Sequence, residues 1–154
     1  MSSNVLNIDP VRDVVPTRAR VRAIEAEVAR QPQVHCPVRN MFAHGMYIRE
    51  MKIPAGTLAT GAVHKTDHLT MIVKGRVKII SEQGEREYTA PATLMSRAGS
   101  KKAALAIEDT VMLTMHNTFE TDVYKLITEL TDARPEELIG GTENKQLKAH
   151  GRHA

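Results

Sequence analysis

The sequence predicts a mainly β protein, a β-sandwich or small barrel with an α-helix on either side. Two observations carry this. Residues 45–117 break into about eight short runs rich in Val, Ile, Thr and Met, at 46–53, 57–64, 69–74, 76–82, 85–89, 92–96, 102–107 and 111–117, with Gly and Pro between them. On both sides the apolar period lengthens from 2 to about 3.6. The 154 residues fit one domain. It divides into an N-terminal arm and helix (1–44), a β unit (45–117) and a C-terminal helix with a basic tail (118–154).

Residues 1–16, with Pro10 and Pro16, read as an irregular arm. Residues 17–31 read as a helix capped by Thr17, whose hydroxyl can accept an orphan amide bond. Val21, Ile24 and Val28 form its narrow apolar stripe, so it must dock on something larger. Pro32 and Pro37 bound a turn around Cys36. In the β unit two hairpins are expected. Gln83-Gly84 joins 78–82 to 85–88, with Gly84 at positive φ, and Glu108-Asp109 joins 103–107 to 111–115. Over 119–131, Val123, Leu126, Ile127 and Leu130 follow helical spacing, and Thr121 with Asp122 suits the N-terminus. Pro135 opens a second short helix through Leu138, and the tail after Gly140-Gly141 reads as mobile. The seven other methionines, Met41, Met46, Met51, Met71, Met95, Met112 and Met115, read as core filler where aromatics are scarce.

Composition excludes several classes. Aromatic residues are 3% and Trp is absent, which argues against a reader of nucleic acid that stacks bases on exposed rings. The net charge of +3 is too small to mark a nucleic-acid surface, despite a pI of 9.1. The apolar runs are too short to span a bilayer, and the N-terminus lacks the features of a signal peptide, so an intracellular protein is expected. A single cysteine excludes an intrachain disulfide and a cysteine zinc cage. No phosphate-cradling loop, dinucleotide fingerprint or serine elbow occurs. His35 and Cys36 are neighbours in an extended segment and point apart, so they make a poor thiolate pair.

One stretch carries a chemical motif. Gly56, Ala62, Val63, His64, His68 and Gly75 resemble the first cupin motif, a glycine followed by a histidine pair, a glutamate and a glycine. His64 falls on the second histidine, His68 on the glutamate, and Ala62 replaces the first histidine. Pro91, Arg97, Gly99 and Lys102 stand where the second motif has glycine, proline, glycine and histidine. The segments 33–57, 61–75, 90–103 and 108–122 are further similar to small cupin-like proteins encoded by bacteriophages. The resemblance implies a cupin-type jelly roll with flanking helices, and a phage or prophage origin. It supplies no reaction.

If 57–64 and 69–74 pair across the turn Lys65-Thr66-Asp67, His64 and His68 share a face. A hairpin centred on Asp109 would place Lys102, at the usual cupin ligand position, opposite His116. His64, His68 and His116 are then candidate ligands for one zinc, iron or nickel ion. Two faces compete for the barrel interior, the one with His116 and the more apolar one with Leu105, Ile107, Leu113 and Met115. Arg97, Lys101 and Lys102 are a candidate anion site. Asp67 reads as a turn residue, and His150 and His153 as solvated tail residues.

Two functions follow. The first, favoured by the altered motif and the narrow terminal helices, is a non-catalytic phage-type module in assembly or in the virion, working as a homo-oligomer, most simply a dimer. No catalytic residue is assigned. The second is a small metal-dependent enzyme of isomerase or dioxygenase class.

Overall fold

The computed structural model describes residues 14–81 and 84–134, side chains from 19 onward, and the backbone of 138–139 and 146–147. Helix α1 is Val14–Val28. The strands are β1 Val38–Ala43, β2 Met46–Ile53, β3 Leu58–Thr60, β4 His68–Lys74, β5 Arg76–Ser81, β6 Gly84–Thr89, β7 Ala92–Ser96, β8 Ala103–Ala106 and β9 Thr110–Asn117. Helix α2 is Val123–Leu130, and β10 Leu138–Ile139 pairs with β11 Gln146–Leu147.

From β2 to β9 the chain passes back and forth between two antiparallel sheets, staying in one sheet only for the β5–β6 hairpin. One is ordered β1-β2-β9-β4-β7 and the other β3-β8-β5-β6. That alternation is a jelly roll, so the cupin-type sandwich expected from the sequence is the fold. The β5–β6 hairpin forms and Gly84 has positive φ, at 93°, but Gly84 is paired with Ser81 as the first residue of β6 rather than lying in the expected Gln83-Gly84 turn. Gly75 turns the chain between β4 and β5 at φ +85°, and a Cβ there would lie 2.2 Å from the Asp109 carbonyl oxygen, so only glycine fits.

Several expectations change. Strands β8 and β9 do not form a hairpin. They lie in opposite sheets, and residues 107–109 carry the chain across the sandwich, so Lys102 is not paired with His116. Likewise β3 and β4 belong to different sheets. The β structure starts at Val38, earlier than expected, because β1 adds an edge strand to β2. Helix α1 starts three residues before Thr17, at Val14, and so takes in Pro16. A first-turn proline loses nothing, since its missing amide would have no partner there. Leu138 is in a strand rather than a helix, and Gln146–Leu147 of the tail pairs with it. His150 and His153 lie outside the described residues.

Packing follows from strand alternation. Inward residues Ile53, Ala59 and Ala106 meet Cys36, with Met51 and Met112 against them. Ile72, Val77, Ile79 and Ala104 form the adjoining cluster. On the outside of the four-stranded sheet, Val21 and Ile24 of α1 pack on Ile80, Ala103 and Leu58. A buried ion pair, Lys101 Nζ to Glu25 Oε1 at 3.0 Å, fixes the same helix. Asp122 caps α2, its Oδ1 accepting from the amides of Tyr124 and Lys125. Leu126 and Leu130 then pack on Tyr47, and Ile127 on Ala62 and Ala133, which places α2 over one end of the sandwich. Of the methionines, Met51 and Met112 are core filler. Met41, Met71, Met115, Met46 and Met95 are half-buried or exposed, because alternation from Arg49 and Thr114 turns their strands' neighbouring positions outward.

Candidate metal centre

Three strands and one connecting segment build a polar end to the sandwich. Along β2, Tyr47, Arg49, Met51 and Ile53 face inward, and along β9 Thr110, Met112, Thr114 and His116 do the same. Tyr47 is opposite His116, and Arg49 is opposite Thr114. In β4, Thr70 lies opposite Thr114, and His68 opposite Ser96 of β7. His64 is not in a strand. Its bridge with Thr131 ties it to the end of α2, and its carbonyl accepts from the amide of Gly99. Asp67, expected to serve its own turn, instead ties that turn to the loop before β8. Its Oδ1 accepts from the Ala98 amide and its Oδ2 from Arg97, which holds its carboxyl below the ordinary range. The segment 64–68 is thereby fastened to the loop before β8.

His64, His68 and His116 come together. Ring centroids are 4.2 Å apart for His64 and His68, 4.6 Å for His68 and His116, and 5.2 Å for His64 and His116. One ring nitrogen from each lies within 4.8 Å of the others. Two nitrogens on one tetrahedral zinc at 2.0–2.1 Å would sit about 3.4 Å apart, so small ring rotations bring the three onto one ion. His68 and His116 are buried and His64 is half-buried, and all three donors are nitrogens. This donor set fits zinc, iron or nickel and does not fit magnesium or calcium.

A cavity of about 90 Å³ opens between the sheets, with His64 and His68 in its wall. Its polar wall adds Arg49, Thr70, Thr114, Ser100 and Lys102, and its apolar wall Met51, Met112, Ile79 and Ala104. Among the described residues no carboxylate lines it. Lys102 donates to Ser96 Oγ, which is also hydrogen-bonded to Thr70 Oγ1 at 2.8 Å. Arg49 is 4% exposed, and burial pushes its guanidinium down to about 10. Burial likewise raises the Tyr47 phenol and the Cys36 thiol, with Arg49 opposing both. Cys36 is therefore a core thiol and no nucleophile.

The expected cationic cluster divides. Lys101 turns away to Glu25, and Arg97 is exposed on Asp67. Arg97 and Lys102 still line one cavity of about 50 Å³, together with Arg86. Arg49 was not among the residues the motif singled out. Its signal was the alternation in β2, where an arginine stands on the inward face between Tyr47 and Met51.

No family model matches the chain, and no curated protein matches it. Solved structures do. One is a conserved protein of unknown function from Streptococcus pyogenes, 20% identical at TM-score 0.47, covering 58% of this chain and 80% of that one. A cupin superfamily protein from Desulfitobacterium hafniense is 15% identical at TM-score 0.46, covering 60% and 88%. A cupin 2 conserved barrel domain protein from Salinispora arenicola is 12% identical at TM-score 0.46, covering 55% and 77%. The strand order itself carries the fold. The molecule is thus a cupin-type jelly roll with a three-histidine cluster at one end. No described helix is long and apolar enough to cross a membrane.

Proposed function

We propose that this jelly roll binds one transition-metal ion on His64, His68 and His116 and presents it to a small molecule in the adjoining cavity. The observation that carries this is the convergence of three ring nitrogens, within 4.8 Å, two of them on His64 and His68 in the wall of a cavity. A bound zinc, iron or nickel would supply a Lewis-acid or redox centre of the sort used by isomerases and dioxygenases. The chain itself positions the ligand set. The α2 bridge holds His64, the Asp67 turn holds His68, and Tyr47, with ring centroids 5.8 Å apart, stacks on His116. Metal analysis of untagged protein tests this. About one ion per chain is expected, falling to background in His68→Ala and His116→Ala with folding retained. Background metal in the parent protein after exposure to zinc, iron and nickel in turn would sink it.

A second reading, a binding module that assembles, is supported by the other face of the five-stranded sheet. Met41, Ile48, Met115, Leu69 and Met95 form one row across its strands, partly exposed and wholly apolar. A twofold axis at Met115 on the middle strand would lay this row on itself, so a second copy of the chain is the occupant it fits. Light scattering should give a dimer mass that Met115→Glu reduces to a monomer; a parent monomer at high micromolar concentration would contradict it. The phage-type, virion-associated form of this reading is supported by the sequence resemblance. Capsid and tail genes beside the coding sequence would favour it, and a metabolic cluster would oppose it.

A further inference from the structure

One group in the cavity wall has a charge that no carboxylate among the described residues answers. Arg49 is 4% exposed, and its Nη2 is buried without a hydrogen-bond partner. Its Nη1 meets only the Met51 thioether, at 4.0 Å, a weak acceptor. No described carboxylate pairs with it. Directly across the β2–β9 ladder, Thr114 Oγ1 is also buried without a partner. Buried polar atoms are normally satisfied, and a buried cation is normally paired. Here two unsatisfied donors lie side by side in the wall of one cavity. Lys102 adds a second cationic side chain to the same wall. The missing partner is an anion.

We infer that Arg49 and Thr114 form the carboxylate-binding end of the cavity, and that its ligand is a short-chain carboxylic acid of about two to four carbons. A guanidinium fork beside a hydroxyl donor matches the planar, two-oxygen acceptor of a carboxylate. The size follows from the cavity, whose volume of about 90 Å³ lies far below that of sites for larger ligands. Met51, Met112 and Ala104 leave an apolar wall for a methyl or methylene group. Arg49 and Thr114 are one layer below His116, since same-face residues are two apart along a strand. A short acid seated on Arg49 therefore directs its other end toward the histidines. This deepens the metal-site reading and rests on it for the role of that other end; the carboxylate contact does not need the metal.

Calorimetric titration of the full chain with pyruvate and acetate, metal-stripped and metal-loaded, tests the inference. Both forms should show saturable binding, with acetamide silent. Arg49→Met should weaken it about 10- to 100-fold, with Arg49→Lys between, and Thr114→Val should weaken it several-fold. Circular dichroism and thermal melting confirm that each variant is folded. Binding that survives Arg49→Met unchanged, or inorganic phosphate binding while neither carboxylate does, overturns the inference. So does failure of both acids to saturate in either form. Pyruvate binding through Arg49 in a protein that takes up no metal leaves this inference standing and removes the metal site.

Discussion

At one end of the sandwich interior Ile53, Ala59, Ala106 and Cys36 close on one another, while at the other His68, His116, Arg49, Thr70 and Thr114 face inward. The same strands supply both ends. β2 runs from Tyr47 and Arg49 to Ile53, β4 from His68 and Thr70 to Ile72, and β9 from Met112 to His116. The β2–β9 ladder runs through both ends without a register shift, so along these two strands the difference is one of side chains. Each large apolar residue at the first end stabilises the fold by about 1.5–3 kcal/mol. At the second end burial of a lone guanidinium costs stability, and buried histidines and hydroxyls return little. A chain selected for stability alone would have filled both ends alike. The polar end is the part on which the proposed metal and carboxylate sites rest.

The largest expected effect lies at the apolar end. Ile72 is fully buried in the cluster with Val77 and Ile79, so Ile72→Ala should cost about 2–5 kcal/mol in urea unfolding. Metal content per folded chain should stay unchanged. Arg49→Met should move the other way, with metal-free protein stabilised by about 1–4 kcal/mol at pH 7. The sign follows from the depressed guanidinium. Below about 10 both folded and unfolded chains carry the proton, and the burial penalty is full. As pH rises past about 10 towards the ordinary arginine range the folded chain releases it first, so the advantage of Arg49→Met should shrink. A variant less stable than the parent at neutral pH would show that Arg49 is already satisfied.

The smallest effect belongs to the surface. Asp67 is exposed and its carboxyl is held low, by the Ala98 amide first and the Arg97 guanidinium second. Its contribution is present above the ordinary value of 3.8 and is lost as pH falls through the lower folded value. Asp67→Asn should lower the melting temperature slightly at pH 7, and the difference should vanish on strong acidification. A constant difference at every pH would mean the turn depends on shape alone.

Local order was legible in the sequence. β2 and β7 span the residues expected of them, 46–53 and 92–96, because Gly45 and Pro54 bound the first and Pro91 opens the second. β1 was missed, since Arg39 and Asn40 stand together between Val38 and the run Met41-Phe42-Ala43 and break the period-two alternation. Pairing was not legible. Residues 103–107 and 111–115 have the look of a hairpin, yet the jelly roll sends them to opposite sheets. His64 and His68 do meet, but through the α2 bridge and the Asp67 turn and not across a β3–β4 ladder. His116 joins them because its face, with Met112 and Thr114, is the inner one, and the more apolar Leu113 and Met115 face out. Periodicity says which residues share a face; it does not say which face the fold encloses.

Anomalous diffraction at the zinc edge, from crystals grown with zinc, would show whether the polar end holds an ion. A single strong peak about 2.0–2.1 Å from one ring nitrogen of each of His64, His68 and His116 is the expected result. No peak among these three rings, with zinc found only on other residues such as His150 or His153, would contradict it.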